Sequence, residues 1–224
     1  MLTRTLPKVH RKVQEGEVWF VPGKKGMGKT TFIKNMIKQK TRIQPGLIVY
    51  HVDSKGLGDY SSRDGTYIAS EAAPPALSVP GSKMVWRPLI DDKQEYTKFF
   101  LSILRKGLPA IVNIDEIANM VFNGEFPRGL QILIKQCRLP GIHLYGGTQE
   151  IGQSGRQFGS QADFIACFNL INEYDERIML SRLRKPKEVK HLDLKRYQFE
   201  YIRPDYDSMS RRFNSYEELL GEIT

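Results

Sequence analysis

The stretch that decides the fold is Glu17-Val18-Trp19-Phe20-Val21-Pro22-Gly23-Lys24-Lys25-Gly26-Met27-Gly28-Lys29-Thr30-Thr31-Phe32-Ile33. Its first five residues are apolar and aromatic apart from Glu17 and end at Pro22-Gly23, so they read as a buried strand running into a turn. From Thr30 to Lys40, Phe32, Ile33, Met36 and Ile37 share one helical face, while Lys34, Lys38 and Lys40 lie elsewhere. Between strand and helix, Gly23 to Thr30 fits G-x-x-x-x-G-K-[ST]. Glycines there let backbone N–H groups converge on phosphate oxygens without a Cβ in the way, and the helix N-terminus adds a favourable dipole. The pattern predicts that Gly23, Lys24, Lys25, Gly26, Met27, Gly28, Lys29, Thr30 and Thr31 cradle ATP. Lys29 is expected to reach the β- and γ-phosphates, and the Thr30 hydroxyl to ligate Mg²⁺. The competing reading is a glycine-rich turn that happens to precede a helix; strand, motif and helix in register speak against it.

Outward from this loop, Pro109 to Ile114 is a buried strand that ends in Asp115-Glu116. A run of mostly apolar residues followed by two carboxylates sets the pair at the carboxyl edge of a sheet, beside the phosphate loop. Asp115 is expected to hold Mg²⁺ and Glu116 to polarise the attacking water. The plainer reading is a helix cap followed by a first-turn acid. Thr148-Gln149 closes the next strand, Ile142 to Gly146, where the Gln149 amide can contact the γ-phosphate or order the water. A D-x-x-G match at Asp53 to Gly56 is read as chance, because the chain has no N-K-x-D guanine reader. The acid pair also speaks against a signalling GTPase.

The other elements alternate. Strands are expected at Leu47 to Val52, Lys83 to Leu89 and Asp163 to Leu170. Helices are expected over the Tyr96, Phe99, Phe100, Ile103, Leu104 stripe capped by Asp91 or Asp92, over Leu130 to Cys137, and over Asp175 to Leu183. Asp53 to Ser82 reads as a long loop with at most short elements near Thr66 to Ala69. A hairpin is expected from Val189 to Leu192 and Gln198 to Ile202, and the tail Tyr216 to Glu222 as either a final helix or a partner-binding segment. Alternating strands and helices predict an α/β, doubly wound, mostly parallel sheet. We expect one domain over 1–224, with a core at about 14–183 and a C-terminal hairpin and tail at 184–224.

Composition sets outer limits. The chain has 224 residues, 40% hydrophobic and 26% charged, which suits a folded protein and excludes general disorder. Two cysteines exclude a disulfide scaffold. No apolar run reaches the roughly 18 to 20 residues of a membrane span, and the N-terminus, MLTRTLPKVHRKV, lacks the apolar stretch of a secretory signal. The net charge of +9 is unevenly placed: seven basic residues and no acid from Gly23 to Gly46, nine basic and three acidic from Arg177 to Arg203, then an acidic tail. Such basic stretches point to a polyanion partner such as nucleic acid, against the alternative of solvated lysine faces.

GKKGMGKT (23–30), IVNIDE (111–116), CRLPGIHLYGGTQ (137–149) and DFIACFNLINEYDERIML (163–180) together resemble the FtsK/HerA branch of P-loop ATPases. The third is the most telling: an arginine, a short turn, Gly-Ile-His-Leu, then a strand ending in Thr-Gln. The fourth is similar to the family's next strand and its aspartate-x-arginine helix start, here Asp175-Glu176-Arg177. The resemblance covers about Glu17 to Leu183 and implies a RecA/FtsK-like core, ATP with Mg²⁺, a homo-oligomeric ring of five or six subunits, and double-stranded DNA in a basic channel. Carried over by motif, Gly23, Gly28, Lys29 and Thr30 form the nucleotide loop, Asp115 is the metal residue, Glu116 the base and Gln149 the polar sensor. An arginine acting in trans is also implied, with Arg138 the first choice and Arg156 and Arg177 behind it. Lys24-Lys25 departs from the small residues usual at those positions.

Length narrows the expectation further. Chromosomal translocases of this branch carry membrane helices and a winged helix, for which the chain has no room, so it resembles most the genome-packaging ATPases of tailless viruses with an internal membrane. That implies capsid or portal vertex proteins as partners, and the host cytoplasm or virion vertex as location. The alternatives are a Zot-like filamentous-phage assembly ATPase, a P-loop small-molecule kinase with Arg182 to Lys190 as lid, and a scaffold that binds ATP without turnover.

Overall fold

The computed structural model describes residues 15–54 and 60–223. The N-terminal segment read as lacking a secretory signal lies outside the described residues, as do Lys55 and Gly56 of the D-x-x-G match.

Along the chain the elements are β1 (Val18–Pro22), α1 (Lys29–Ile43), β2 (Ile48–Val52), β3 (Thr66–Ser70), β4 (Lys83–Pro88), α2 (Lys93–Lys106) and β5 (Ala110–Ile114). A 3₁₀ turn at Ile117–Met120 follows, then α3 (Arg128–Gln136), β6 (Ile142–Thr148), α4 (Gly152–Gly159), β7 (Phe164–Cys167), α5 (Glu173–Arg182), β8 (Phe199–Ile202), β9 (Arg211–Phe213) and α6 (Tyr216–Ile223). The nine strands among the described residues lie in one sheet of order β3-β4-β2-β5-β6-β1-β7-β8-β9. The pairings from β3 to β7 are parallel, and β8 and β9 close the edge antiparallel. This is the doubly wound α/β sheet expected from the alternation.

The strands are apolar on both faces because both faces are covered. In β1, Val18 and Phe20 join the core formed with α2, α3, α4 and α5, while Trp19 and Val21 join the core formed with α1 and α6. The helical stripe of α1 (Phe32, Ile33, Met36, Ile37) fills the second core, and Tyr96, Phe99, Phe100 and Ile103 of α2 fill the first. Each such buried side chain contributes about 1.5–3 kcal/mol by leaving water. Asp92 caps α2 through Gln94 N–H, and Gly107 ends it in the left-handed conformation.

Two differences from the sequence reading have identifiable causes. Val189 to Leu192 forms no strand; β8 pairs instead with β7 and with the three-residue β9. The pairing turns on Glu200, a fully buried carboxylate in β8 that takes Lys185, Arg212 and Ser210 as partners. Buried charge of this kind is tolerated only when paired, and the pairing fixes β9 more than its short sequence does. The second difference is α4, unexpected because GQSGRQFG is glycine-rich. Gly159 allows close approach: a Cβ there would lie 3.0 Å from the Phe20 ring and 2.1 Å from Arg182. Thr66–Ser70, where the sequence reading allowed a short element, is an edge strand on β4. The acidic tail packs as helix α6, with Leu219 buried.

Candidate functional site

The loop leaving β1 enters α1 at Lys29. Gly26 and Gly28 have φ of 81° and 106°, the left-handed region that favours glycine. Backbone bonds anchor the loop on both sides: Gly23 N–H to Thr148 O at the end of β6 (3.0 Å), Lys24 N–H to Asn169 O after β7 (2.7 Å), and Tyr197 N–H to Met27 O (2.9 Å). Helix α1 has neither a side-chain N-cap bond nor an acid in its first turn, so its leading N–H groups and dipole face an anion without competition. Lys29 is 7% exposed, and its ammonium donates to Lys24 O at 3.0 Å, folded over the loop it belongs to. Lys25 and Thr31 are exposed and Thr30 is half-buried. Met27 contributes only backbone here, because its side chain is in the core with Phe32.

The acid pair sits at the same sheet edge, but not next to β1. Strand β6 lies between β5 and β1, so the end of β6 separates the loop from the carboxylates. That puts Thr148 and Gln149 between them. Asp115 and Glu116 are each 5% exposed. Asp115 Oδ1 accepts from Ser54 N–H (2.9 Å) and Ser54 Oγ (2.8 Å), across from the end of β2. Glu116 accepts from Gln149 N–H through Oε1 (3.0 Å) and Oε2 (3.1 Å). Thr148 Oγ1 is 2.5 Å from both Glu116 Oε1 and Glu150 O, so its one proton lies between the two acceptors. The carboxylate is thus held against the end of β6, the strand that separates it from the loop.

The donor chemistry suits Mg²⁺. The Thr30 hydroxyl and the Asp115 carboxylate are hard oxygen donors, and no group of three or more His, Cys, Asp or Glu side chains among the described residues forms an all-protein cage. Mg²⁺ is characteristically held this way, by one or two protein oxygens together with substrate phosphates.

Behind Asp115 on β5, Asn113 Nδ2 bonds the Tyr60 hydroxyl at 2.7 Å and lies 3.1 Å from His51 Nδ1. Tyr60 stacks on His51 at 4.5 Å, and Lys34 of α1 lies 4.8 Å over the Tyr60 ring and pairs with Asp64. Burial pushes the His51 imidazole down to about 4, so it is neutral at physiological pH. The cluster links α1, β2 and β5 beneath the acid pair.

The arginines distribute differently. Arg138 precedes β6 and so lies at the sheet edge opposite the phosphate loop, bonded to Asp163 Oδ1 (2.7 Å) and Gln161 O (3.1 Å). It lines a cavity of about 520 Å³ with Arg182, Arg184 and Asp163 among others. Arg156 is exposed on α4 and Arg177 on α5. Among the described residues, none of the three has a hydrogen bond or ion pair to the phosphate loop of its own chain. Asn172 caps α5 by accepting from Asp175 N–H, and the buried Asp175 carboxylate accepts from Ile151 N–H (3.0 Å), which fixes the turn just beyond Gln149. The basic stretch considered as a lid is pinned at its start: Arg182 donates to Arg156 O, Arg184 to the carbonyls of Pro204 and Asp207, and Lys185 pairs with Glu200.

Two site residues were not legible in the sequence. Ser54 ends the strand beside β5, and only the strand order brings it to Asp115. At the end of β6, the Thr148 hydroxyl and the Gln149 backbone N–H hold Glu116, a contribution separate from the one expected of the Gln149 amide. Asp53, dismissed within the D-x-x-G match, is buried and ion-paired with Arg87 (2.7 Å).

No protein-family model and no curated protein matches the chain. Among solved structures, it is similar to the genome packaging NTPase B204 of Sulfolobus turreted icosahedral virus 2 in complex with sulfate. That match has a TM-score of 0.71 and 17% identity, over 90% of this chain and 97% of that one. It is also similar to VirB4 of Thermoanaerobacter pseudethanolicus, with a TM-score of 0.60 and 10% identity over 88% of each chain. The pCW3 conjugation coupling protein TcpA matches with a TM-score of 0.55 and 18% identity, over 91% of this chain and 61% of that one. At such identities the likeness establishes a common fold, and it agrees with the FtsK/HerA-type resemblance of the motifs.

Proposed function

We propose that this chain is an ATP-hydrolysing motor that moves double-stranded DNA, working as a single P-loop ATPase domain within a homo-oligomeric ring and packaging a viral genome. The observation that carries hydrolysis is the Glu116 carboxylate, held by Thr148 and Gln149 on the strand beside the phosphate loop. A carboxylate so placed takes a proton from water as general base. Lys29 and the loop N–H groups hold the β- and γ-phosphates, while Thr30 and Asp115 are the residues that would hold Mg²⁺. When bound, that ion neutralises charge on the phosphate oxygens. The Gln149 amide orients the water.

The packaging role is supported by the fold shared with a genome packaging NTPase over nearly the whole of both chains. The exposed Lys187, Lys190, Lys195 and Arg196 of the second basic stretch suit phosphate backbones. A ring follows from the need for an arginine in trans. Arg138 remains the choice because it lies at the edge opposite its own phosphate loop, so that it could serve only another subunit, after exchanging its bond to Asp163; Arg156 and Arg177 are the alternatives. Capsid or portal vertex proteins and a host-cytoplasmic or virion-vertex location belong to the same proposal. The kinase reading is weaker, because the segment it needs as a lid is pinned at Arg182 to Lys185. No helix among the described residues is long and apolar enough to cross a membrane.

The test is the ATPase rate with and without double-stranded DNA over a salt series, beside a screen of phosphate acceptors. Stimulation that falls steeply with salt supports the motor. A rate indifferent to DNA, with phosphate passed to a small acceptor, refutes it.

A further inference from the structure

Tyr197 has no part in the chemistry above, yet the fold holds it against the phosphate loop. It stands just before β8 with φ of 68°, a left-handed conformation that bulky side chains rarely adopt. Its N–H donates to Met27 O inside the loop at 2.9 Å. Its ring lies on Gly28, where a Cβ would come within 2.5 Å of the ring carbon Cδ1. Tyr197 is nevertheless 43% exposed, and the Arg196 guanidinium lies 4.9 Å from its ring centroid. A relaxed turn would let such a ring swing into water. Here the backbone is held in a strained turn that sets the ring beside the loop and leaves much of it open.

The topology says which part of a nucleotide meets it. The carboxylates reach the loop from the β6 and β5 side of β1, whereas Tyr197 and the segment tied to it lie on the β7 and β8 side. Asn169 after β7 receives Lys24 N–H through its carbonyl and donates to Leu194 O at 3.3 Å, which joins this segment to the loop. With the γ-phosphate directed to Glu116, the nucleoside end of the substrate emerges on the opposite side of the loop, where Tyr197 stands.

We propose that the Tyr197 ring is the platform on which the base of the bound nucleotide stacks, supported by Arg196. The inference rests on the nucleotide reading above and adds to it a residue outside every motif. Stacking of a base on an aromatic side chain is sequence-tolerant, and removing it is worth roughly 5- to 100-fold in affinity.

The test measures binding of ATPγS and of inorganic tripolyphosphate to the wild-type chain, Tyr197→Gly and Tyr197→Phe. Glycine relaxes the left-handed backbone, so that variant retains its fold, and phenylalanine retains the ring. Expected are a 5- to 100-fold loss of ATPγS affinity in Tyr197→Gly, tripolyphosphate affinity within about twofold of wild type, and near-normal binding by Tyr197→Phe. Unchanged ATPγS binding by Tyr197→Gly overturns the proposal. So does an equal loss of both ligands, which makes Tyr197 a prop for the loop. A wild-type chain that binds tripolyphosphate as tightly as ATPγS overturns the stack alone; one that binds neither overturns the nucleotide reading as well.

Discussion

Replacing Thr148 with valine removes one hydroxyl and almost nothing else. Valine matches the shape, and the Thr148 carbonyl that receives Gly23 N–H is untouched. Glu116 keeps its bonds from Gln149 N–H but loses the donor at 2.5 Å from Oε1. A hydrogen bond to a charged group contributes about 1.5–3 kcal/mol, and each 1.4 kcal/mol is tenfold in rate. If Glu116 must be held facing the loop for proton transfer, kcat falls roughly 10- to 100-fold. Nucleotide affinity should stay within about twofold, because the hydroxyl bonds Glu116 and Glu150 rather than the loop. The assay is single-turnover ATP hydrolysis beside equilibrium binding of a non-hydrolysable analogue. Thr148→Ser, which restores the hydroxyl, should recover most of the rate. The Glu150 carbonyl also loses a donor, so thermal unfolding is followed in parallel and rates are compared well below the transition. An unchanged kcat in Thr148→Val, or weaker binding with kcat intact, would refute the assignment of Glu116 as a positioned base.

Other expected outcomes are simpler. Lys29→Ala should abolish ATP binding, measured by titration with a fluorescent analogue, because the loop loses the ammonium that lies over it; hydrolysis that persists counts against the site. Glu116→Gln should bind ATP and hydrolyse it at least ~100-fold more slowly, the scale of a general base, with a loss of binding instead marking Glu116 as structural. The buried His51 makes stability depend on pH. Its folded pKa of about 4 lies below the ordinary 6.5, so below pH 6.5 the unfolded chain takes up a proton that the folded chain refuses. Stability therefore falls from pH 6.5 toward 4, by about 2 kcal/mol at pH 5. Denaturant unfolding of wild type and His51→Gln at pH 7 and pH 5 should differ by that amount, and equal pH dependence would mean that His51 titrates normally in the fold. His191 is pulled the other way by Glu176, but it is exposed and common to both proteins.

Much of the site was legible because its chemistry is local. A glycine loop must sit between a strand and a helix for its N–H groups to converge, and all three parts are contiguous from Val18 to Ile43. The apolar strands and the α1 and α2 stripes were readable for the same reason, since burial on two faces or on one stripe leaves a period in the sequence. What resisted reading was either weakly periodic or non-local. Helix α4 hides in glycines that serve close packing. The β9 partner is three residues long and depends on a buried Glu200 whose cations come from elsewhere in the chain.

The sequence by itself determined the α/β alternation, the phosphate loop and the acid pair. Each is set by residues adjacent in the chain, where periodicity and spacing are enough. Only the tertiary structure decided how those parts meet. The strand order puts β6 between the loop strand and the acid strand, so Thr148 and the Gln149 backbone hold Glu116. It also sets β2 beside β5, so Ser54 reaches Asp115, and it brings Tyr197 from far along the chain onto Gly28. These contacts span 61 residues for Ser54 and Asp115 and 32 for Thr148 and Glu116. Separations of that size leave no periodic trace, because nothing in the spacing of two residues records which strands become neighbours.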